Sequence, residues 1–468
     1  MKAYVHLRTF DGRSKFSTWL ILVLLDGKEW EMDNTLQRTP VVSRRSLLQT
    51  VGLGGGVLLA GPGASALAGS SDQAITIKGV KVFDGRWLLE ADTVIIEGST
   101  IAAVGRGLLA RGTVIDGAGA TLLPGLIDSH THTNVASLRD ALLFGVTTEL
   151  EMGGNWQPET RKQATANDSI ADFRTSYNGI TAPGGHPAEL LPPGRTGPSS
   201  STPAEARKYV GSIVAGGADY IKILVEEGTV FGHPGLPQLS NPIIEEAVSA
   251  AHDHGRMAIA HALTLSAAER VVRAGVDGLA HIFIDKPHTE AIVQLIAQRQ
   301  TFVTPCLTLN ASIMGGNGKA LADDPRVASK LSPTWRSSLS SGMDTWRKAS
   351  FQNVLRTVAA LHKAGVDILA GTDASVPAPG LGGLAHGASL HDELQQLVRA
   401  GLTPVEALRA ATSTPARRFD LRDRGRIAPG LRADLVLVAG DPTTNIADTL
   451  TIKKVWKRGS EVSGVAVA

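Results

Sequence analysis

Six residues of this chain have the types and order needed to hold divalent metal. His130 and His132 close an apolar run, Leu123-Pro124-Gly125-Leu126-Ile127-Asp128-Ser129-His130-Thr131-His132. On an extended strand, residues i and i+2 face one side, so both imidazoles point to one place. Two convergent neutral imidazoles make half of a metal site. Four later apolar runs supply the rest. Lys222 lies inside Tyr220–Leu224, His261 ends Met257–Ala262, His281 ends Val276–Ile282, and Asp373 ends Val366–Ala374. Four histidines, an aspartate and a lysine exceed the ligand count of one tetrahedral zinc. A neutral amine can itself ligate, and a buried lysine of depressed pKa could also react with carbon dioxide.

Such residues need a frame that brings strand ends together. Eight apolar runs read as strands: 122–127, 146–152, 173–180, 220–225, 257–262, 278–282, 302–307 and 367–370. Helical patterns at 242–254, 267–274, 289–299 and 351–364 fall between them. Strands alternating with helices argue for an α/β fold, a (β/α)8 TIM-like barrel, whose functional residues gather at the C-terminal ends of the strands. The flanks differ in kind. Short β-like runs at 75–78, 93–97 and 101–104, and again at 433–438 and 452–457, are separated by glycine turns. The expected layout is an N-terminal segment (1–68), a first β-sandwich part (69–122), the barrel (123–420) and a second sandwich part (421–468). Pro192–Pro203, rich in Pro, Ser and Gly, reads as a mobile rim or lid.

The set His130, His132, Lys222, His261, His281 and Asp373 resembles that of the amidohydrolase superfamily. Within it, the chain is similar to the Xaa-Pro dipeptidase-like and imidazolonepropionase-like metal-dependent hydrolases, over about residues 75–459. The resemblance implies two divalent metal ions, Zn2+ or Mn2+. One would sit on His130, His132 and Asp373, the other on His261 and His281, with Lys222 carboxylated as the bridging ligand. It also implies that the two flanks meet as one composite β-sandwich. Two such ions would make hydroxide available near neutral pH. Asp373 is then the catalytic proton shuttle, first base and then acid. The expected activity is cleavage of a C–N bond in a small amide, such as an Xaa-Pro dipeptide or an N-acyl amino acid. A lactonase or organophosphate-type esterase, or a non-catalytic metal-binding barrel, are the alternatives. Deaminases of the superfamily typically carry a His-x-x-Glu arrangement. Here Ala262-Leu263-Thr264 follows His261 and Ile282-Phe283-Ile284 follows His281, so neither supplies the glutamate.

Substrate contacts are expected from His186 in Gly184-Gly185-His186, from His233 in Phe231-Gly232-His233, and from Tyr177, with Arg174 beside it. His386, His391 and Asp434 read as structural, and Asp128 as orienting a ligand or capping the turn. Cys306, the single cysteine, excludes an intramolecular disulfide and reads as a small buried apolar residue.

Composition excludes other classes. The 468 residues are 43% hydrophobic with 51 glycines, which suits a globular α/β protein. Net charge is +2, and residues 69–468 carry 38 basic against 39 acidic side chains. No basic patch rich in aromatics is present, so nucleic acid is not an expected partner. Family members often dimerise, although no sequence feature here marks a homo-oligomer surface. Ser43-Arg44-Arg45-Ser46-Leu47-Leu48-Gln49, an apolar stretch from 51 to 68 and Ala66-Leu67-Ala68 resemble a twin-arginine signal with its cleavage site. The export machinery is then a partner, and the mature protein is periplasmic or secreted. Translation from Met32 would give that signal the usual short lead.

Overall fold

Short buried strands alternate with amphipathic helices through the middle of this computed structural model, which describes residues 74–191, 197–378 and 381–465. The twin-arginine segment, Met32 and residues 192–196 of the Pro/Ser/Gly loop lie outside the described residues. By its internal contacts the chain divides into two units. All that follows concerns the larger, Ser70–Leu190 with Arg195–Ala468.

Two sets of parallel strands form its centre. Leu126–Thr131, Val146–Glu151 and Asp172–Thr175 make one, with Val146–Glu151 in the middle. Ile221–Leu224, Ala258–His261, Gly278–Leu279 and Phe302–Val303 make the other, in chain order. Three isolated parallel bridges extend the pairing: Ile180 with Ile223, Val303 with Ile368, and Ala374 with Thr131. Strands covered on both faces need continuous apolar sequence, and these have it. One apolar cluster takes Ile127, Leu150, Tyr220, Ile259, Phe302 and Leu369 from or beside successive strands. Outside the strands, the Asn241–Asp253 helix buries Ile243, Ile244, Ala247, Val248, Ala250 and Ala251, an i, i+4 stripe. Thr264 and Thr289 start the next two helices by accepting from the backbone N–H groups of Ala267 and Ile292.

The flanks build two further sheets. A six-stranded sheet joins both ends of the described chain. Its order is Ser460–Glu461, Ile452–Lys457, Leu435–Ala439, Ala120–Pro124, Lys81–Phe83 and Leu88–Leu89. A four-stranded sheet runs Thr100–Gly105, Thr93–Glu97, Ala74–Lys78, Thr113–Asp116. Ile77, Val82, Ile96, Leu122, Leu437 and Trp456 share one apolar cluster.

The strand expected over 122–127 is two strands. Ala120–Pro124 pairs antiparallel with Leu435–Ala439, and Leu126–Thr131 pairs with Val146–Glu151. Gly125 is the crossing point. Its N–H donates to Asp434 O at 2.7 Å, and a Cβ there would lie 2.2 Å from Thr147 Oγ1. The strand expected over 173–180 ends at Thr175, because Tyr177 turns the backbone with φ +53°. Leu307, expected to end a strand, instead opens the Leu307–Ile313 helix.

Asp172, on the third parallel strand, ties the centre to the C-terminal segment. Its buried carboxylate pairs with Arg424 and, at 3.0 Å, with Arg432, while Arg432 also pairs with Asp434. Asp434 thus has the structural place expected of it. Burial alone would raise the Asp172 pKa, but the two guanidiniums hold it well below the usual carboxylate range. A lowered carboxylate pKa stabilises the fold above the unfolded-chain value and is lost as pH falls through the folded one. Asp172→Asn is expected to cost about 1–3 kcal/mol, because Arg424 and Arg432 lose the buried carboxylate they share while keeping Asp423 and Asp434. Urea unfolding at pH 7 would show the loss, and the gap between variant and parent should narrow as pH falls below about 4.

Candidate metal centre

His130 and His132 converge on one atom. Each Nε2 lies 3.0 Å from Asp373 Oδ1. Backbone contacts enforce this meeting. Asp373 N–H donates to His130 O at 2.7 Å, and the Asp128 carboxylate takes both His130 N–H and Thr372 N–H at 3.1 Å. Asp128 therefore locks the two ligand-bearing segments together, an orienting role as its position suggests. Asp373 itself sits at φ +64°, a left-handed conformation in which aspartate is one of the tolerated residues. Gly371 allows the approach, since a Cβ there would lie 2.4 Å from Thr304 Cγ2 and 2.8 Å from His130 N. Gly371→Ala is expected to destabilise by about 1–3 kcal/mol through overpacking. Thermal melts with and without added metal should both drop, the metal-loaded one further.

The proton count at this junction favours a cation. His130 Nδ1–H donates to Ala280 O at 2.7 Å and His132 Nδ1–H to Gly153 O at 3.1 Å. Carbonyl oxygens only accept, so each Nδ1 carries a hydrogen and each neutral ring turns a bare Nε2 toward Asp373. Burial, reinforced by Lys222, pushes the His130 pKa down to about 3. His132 is drawn above its ordinary value, because Asp373 outweighs its burial. One proton on His132 can bridge one of the two contacts. A divalent cation satisfies both, with backbone carbonyls orienting the ligands from behind.

Lys222 lies between this group and the other two histidines. It is fully buried within the Ile221–Leu224 strand, not beyond its end, with Nζ 3.3 Å from His130 Nε2. No carboxylate forms a salt bridge with it among the described residues. Burial lowers its pKa to about 8. The His281 ring centroid is 4.6 Å from that of His130 and 4.7 Å from that of His261. Burial lowers the pKa of His261 to about 4 and that of His281 well below its ordinary value, so both are neutral, the ligating form. His281 Nδ1 is buried without a hydrogen-bond partner. Six candidate ligands thus form one contiguous group.

The expected substrate residues fare differently. His186 reaches the centre: its ring stacks on His261 at 4.8 Å and on Phe231 at 5.3 Å, and Nδ1 meets Glu189 at 2.5 Å. His233 is exposed on the loop after Phe231. Tyr177 does not join the histidines. Its ring lies against Arg161, 5.8 Å from the guanidinium carbon, and Arg174 points to Asp172 and Asp219. His386 bonds Glu149 and Ser375 O, and His391 bonds Phe144 O, both structural placements. Cys306 packs 3.7 Å from His130 Nδ1 and lies with His130 and His281 in a buried group whose ligand atoms are within 4.8 Å of one another, while burial pushes its thiol well above the ordinary value. Glu226 escaped the sequence reading, yet its Oε2 lies 3.2 Å from His261 Nε2. The signal was parity: Glu226 follows Lys222 by four residues, on the same strand face when extended.

The chain is similar in sequence and in fold to several known proteins. An enamidase from Eubacterium barkeri is 30% identical over 191 residues, 36% of this chain and 43% of that protein. An imidazolonepropionase from Deinococcus deserti is 43% identical over 65 residues, 13% and 16% of the two chains. An adenine deaminase from Methanoregula boonei is 41% identical over 83 residues, 18% and 14%. These matches span less than half the length of each curated relative. Among solved structures, a Xaa-Pro dipeptidase with methionine in its active site superposes with a TM-score of 0.66 and 22% identity. The match covers 84% of this chain and all of that one. A molinate hydrolase superposes at 0.65 with 20% identity, covering 85% and 97%. The family model described as Amidohydrolase family matches residues 121–462, from the crossing strand at Ala120–Pro124 through the last sheet, and the chain belongs to that family.

Proposed function

We propose that this protein is a metal-dependent hydrolase that cleaves a C–N bond of a small amide. The carrying observation is the meeting of His130 Nε2, His132 Nε2 and Asp373 Oδ1, with both Nδ1 hydrogens already spent on carbonyls. In this reading the two parallel strand sets and their bridges close as a (β/α)8 barrel, and the flanking sheets form a composite β-sandwich. His130, His132 and Asp373 would hold one divalent ion, zinc or manganese, and His261 and His281 a second, with Lys222, once carboxylated, as a ligand between the two groups. Metal held by these residues would supply Lewis-acid chemistry, lowering the pKa of water and polarising a carbonyl.

The remaining work falls to side chains. Asp373 turns Oδ1 toward the cation site it shares with the two imidazoles, which leaves Oδ2 to take the proton of the attacking water. As the C–N bond breaks, the same oxygen returns that proton to the departing nitrogen, which leaves as a neutral amine. His186, clamped by Glu189 and stacked on His261, presents Nε2 to a substrate carbonyl or carboxylate. The relatives that carry this reading are the enamidase, the imidazolonepropionase and the Xaa-Pro dipeptidase, so Xaa-Pro dipeptides and N-acyl amino acids are the first substrates to try. The twin-arginine segment would export the folded, metal-loaded enzyme to the periplasm or beyond. No helix of the described residues is long and apolar enough to cross a membrane.

The test is hydrolysis by zinc- or manganese-loaded protein across Xaa-Pro dipeptides, N-acyl amino acids, lactones and a phosphotriester. Free amine released by the parent and not by Lys222→Ala is the expected result. Turnover of lactone or phosphotriester alone would replace the amide reading with an esterase. Silence from a fully metallated chain would leave the non-catalytic reading.

A further inference from the structure

We propose that Glu226 is a positioning residue that fixes the proton of His261 on Nε2, so that Nδ1 is the atom offered to metal. The inference rests on the metal-hydrolase reading above and concerns which histidine nitrogen ligates. Glu226 is 2% exposed and uses both carboxylate oxygens. Oε1 accepts Gly228 N–H at 2.7 Å, and Oε2 lies 3.2 Å from His261 Nε2. Gly228 is held in place, because its carbonyl accepts Phe231 N–H at 3.1 Å and His233 N–H at 2.9 Å. So is the His261 ring, which packs between His186 at 4.8 Å and His281 at 4.7 Å. A carboxylate that accepts at both ends requires hydrogen on both neighbours. Gly228 N always has one. His261 must therefore carry its hydrogen on Nε2, which leaves the Nδ1 lone pair free, and no hydrogen bond engages Nδ1 among the described residues.

This geometry reverses the usual ranking of substitutions. Glutamine has one acceptor, and Gly228 N–H claims it. The amide NH2 then faces His261 Nε2 and demands a lone pair there, which moves the proton to Nδ1 and blocks ligation. Alanine removes the clamp yet leaves the ring free to choose either tautomer. Glu226→Asp keeps two acceptors. Metal affinity should accordingly fall about 10–100-fold in Glu226→Gln, as for other outer-shell partners, and by less in Glu226→Ala or Glu226→Asp.

The experiment is Co2+ titration of the full chain and these variants, read by bound equivalents and by the visible cobalt spectrum. The expected result is two equivalents in the parent, a loss of the second with an altered spectrum in Glu226→Gln, and milder loss in the other two. Parent-like affinity in Glu226→Gln, or a larger loss in Glu226→Ala, overturns the proposal and leaves the metal centre standing. A parent chain that takes up no cobalt overturns both. If Glu226→Gln fails to fold, nitrogen-15 spectra of histidine-labelled parent decide the matter. A metal-free His261 protonated at Nε2 agrees, and one protonated at Nδ1 overturns.

Discussion

Asp373→Asn is expected to lower kcat by about 10²- to 10⁴-fold, the range of a lost general acid–base group, while much of the bound metal stays. Asparagine preserves an oxygen to face His130 and His132, whose Nε2 atoms lie 3.0 Å from Asp373 Oδ1. It also keeps the backbone bond from residue 373 to His130 O, so the site should hold its shape. What disappears is a carboxylate able to take and return a proton. KM should change little, because no substrate contact is assigned to this side chain. Steady-state kinetics with metal content measured on the same sample separates these effects. Residual activity within a few-fold of the parent would refute the proton-shuttle role, and loss of metal in parallel with activity would make Asp373 a ligand alone.

Lys222→Ala is expected to remove more than the about 10–100-fold in metal affinity that an outer-shell partner supplies, and to abolish turnover. The alanine methyl cannot bridge the His130 side of the centre to the His261 side. The parent lysine also predicts a pH effect on assembly. Only a neutral amine attacks carbon dioxide, and burial sets the folded amine near 8. Below that value the amine is mostly protonated and carboxylation slows; above it the neutral form dominates. Reconstitution of metal-free protein with Zn2+ should therefore be faster at pH 8.5 than at pH 7 at equal dissolved carbon dioxide. It should slow when carbon dioxide is scrubbed. Equal rates with and without carbon dioxide would show that the lysine acts unmodified.

The candidate ligands were legible in the sequence because each sits within or just after an apolar run. His130, His132, His261, His281 and Asp373 all follow that rule, and Lys222 stands out as a charge inside such a run. Helices such as Asn241–Asp253 were legible for a similar reason, since an i, i+4 stripe has no other efficient use. Features set by tertiary contact were not legible. The break at Gly125 depends on Asp434, some three hundred residues away, and an uninterrupted apolar run hides it. Tyr177 follows an apolar strand like the candidate ligands, but its φ of +53° directs the ring to Arg161 instead. His186 was found through its glycine-rich setting, whereas the Glu189 clamp became visible only in three dimensions. Glu226 sits next to Glu227 in sequence, and two adjacent glutamates look like a solvated loop. Its even spacing from Lys222 sets it apart from Glu227, and its burial bears that out.

The most direct measurement is the number of metal equivalents held by the purified, dialysed chain, read by elemental analysis beside Lys222→Ala. Two equivalents in the parent, falling to one or none in the variant, is the predicted result. A parent without bound metal, or a Lys222→Ala chain that keeps both equivalents, would contradict the proposed centre.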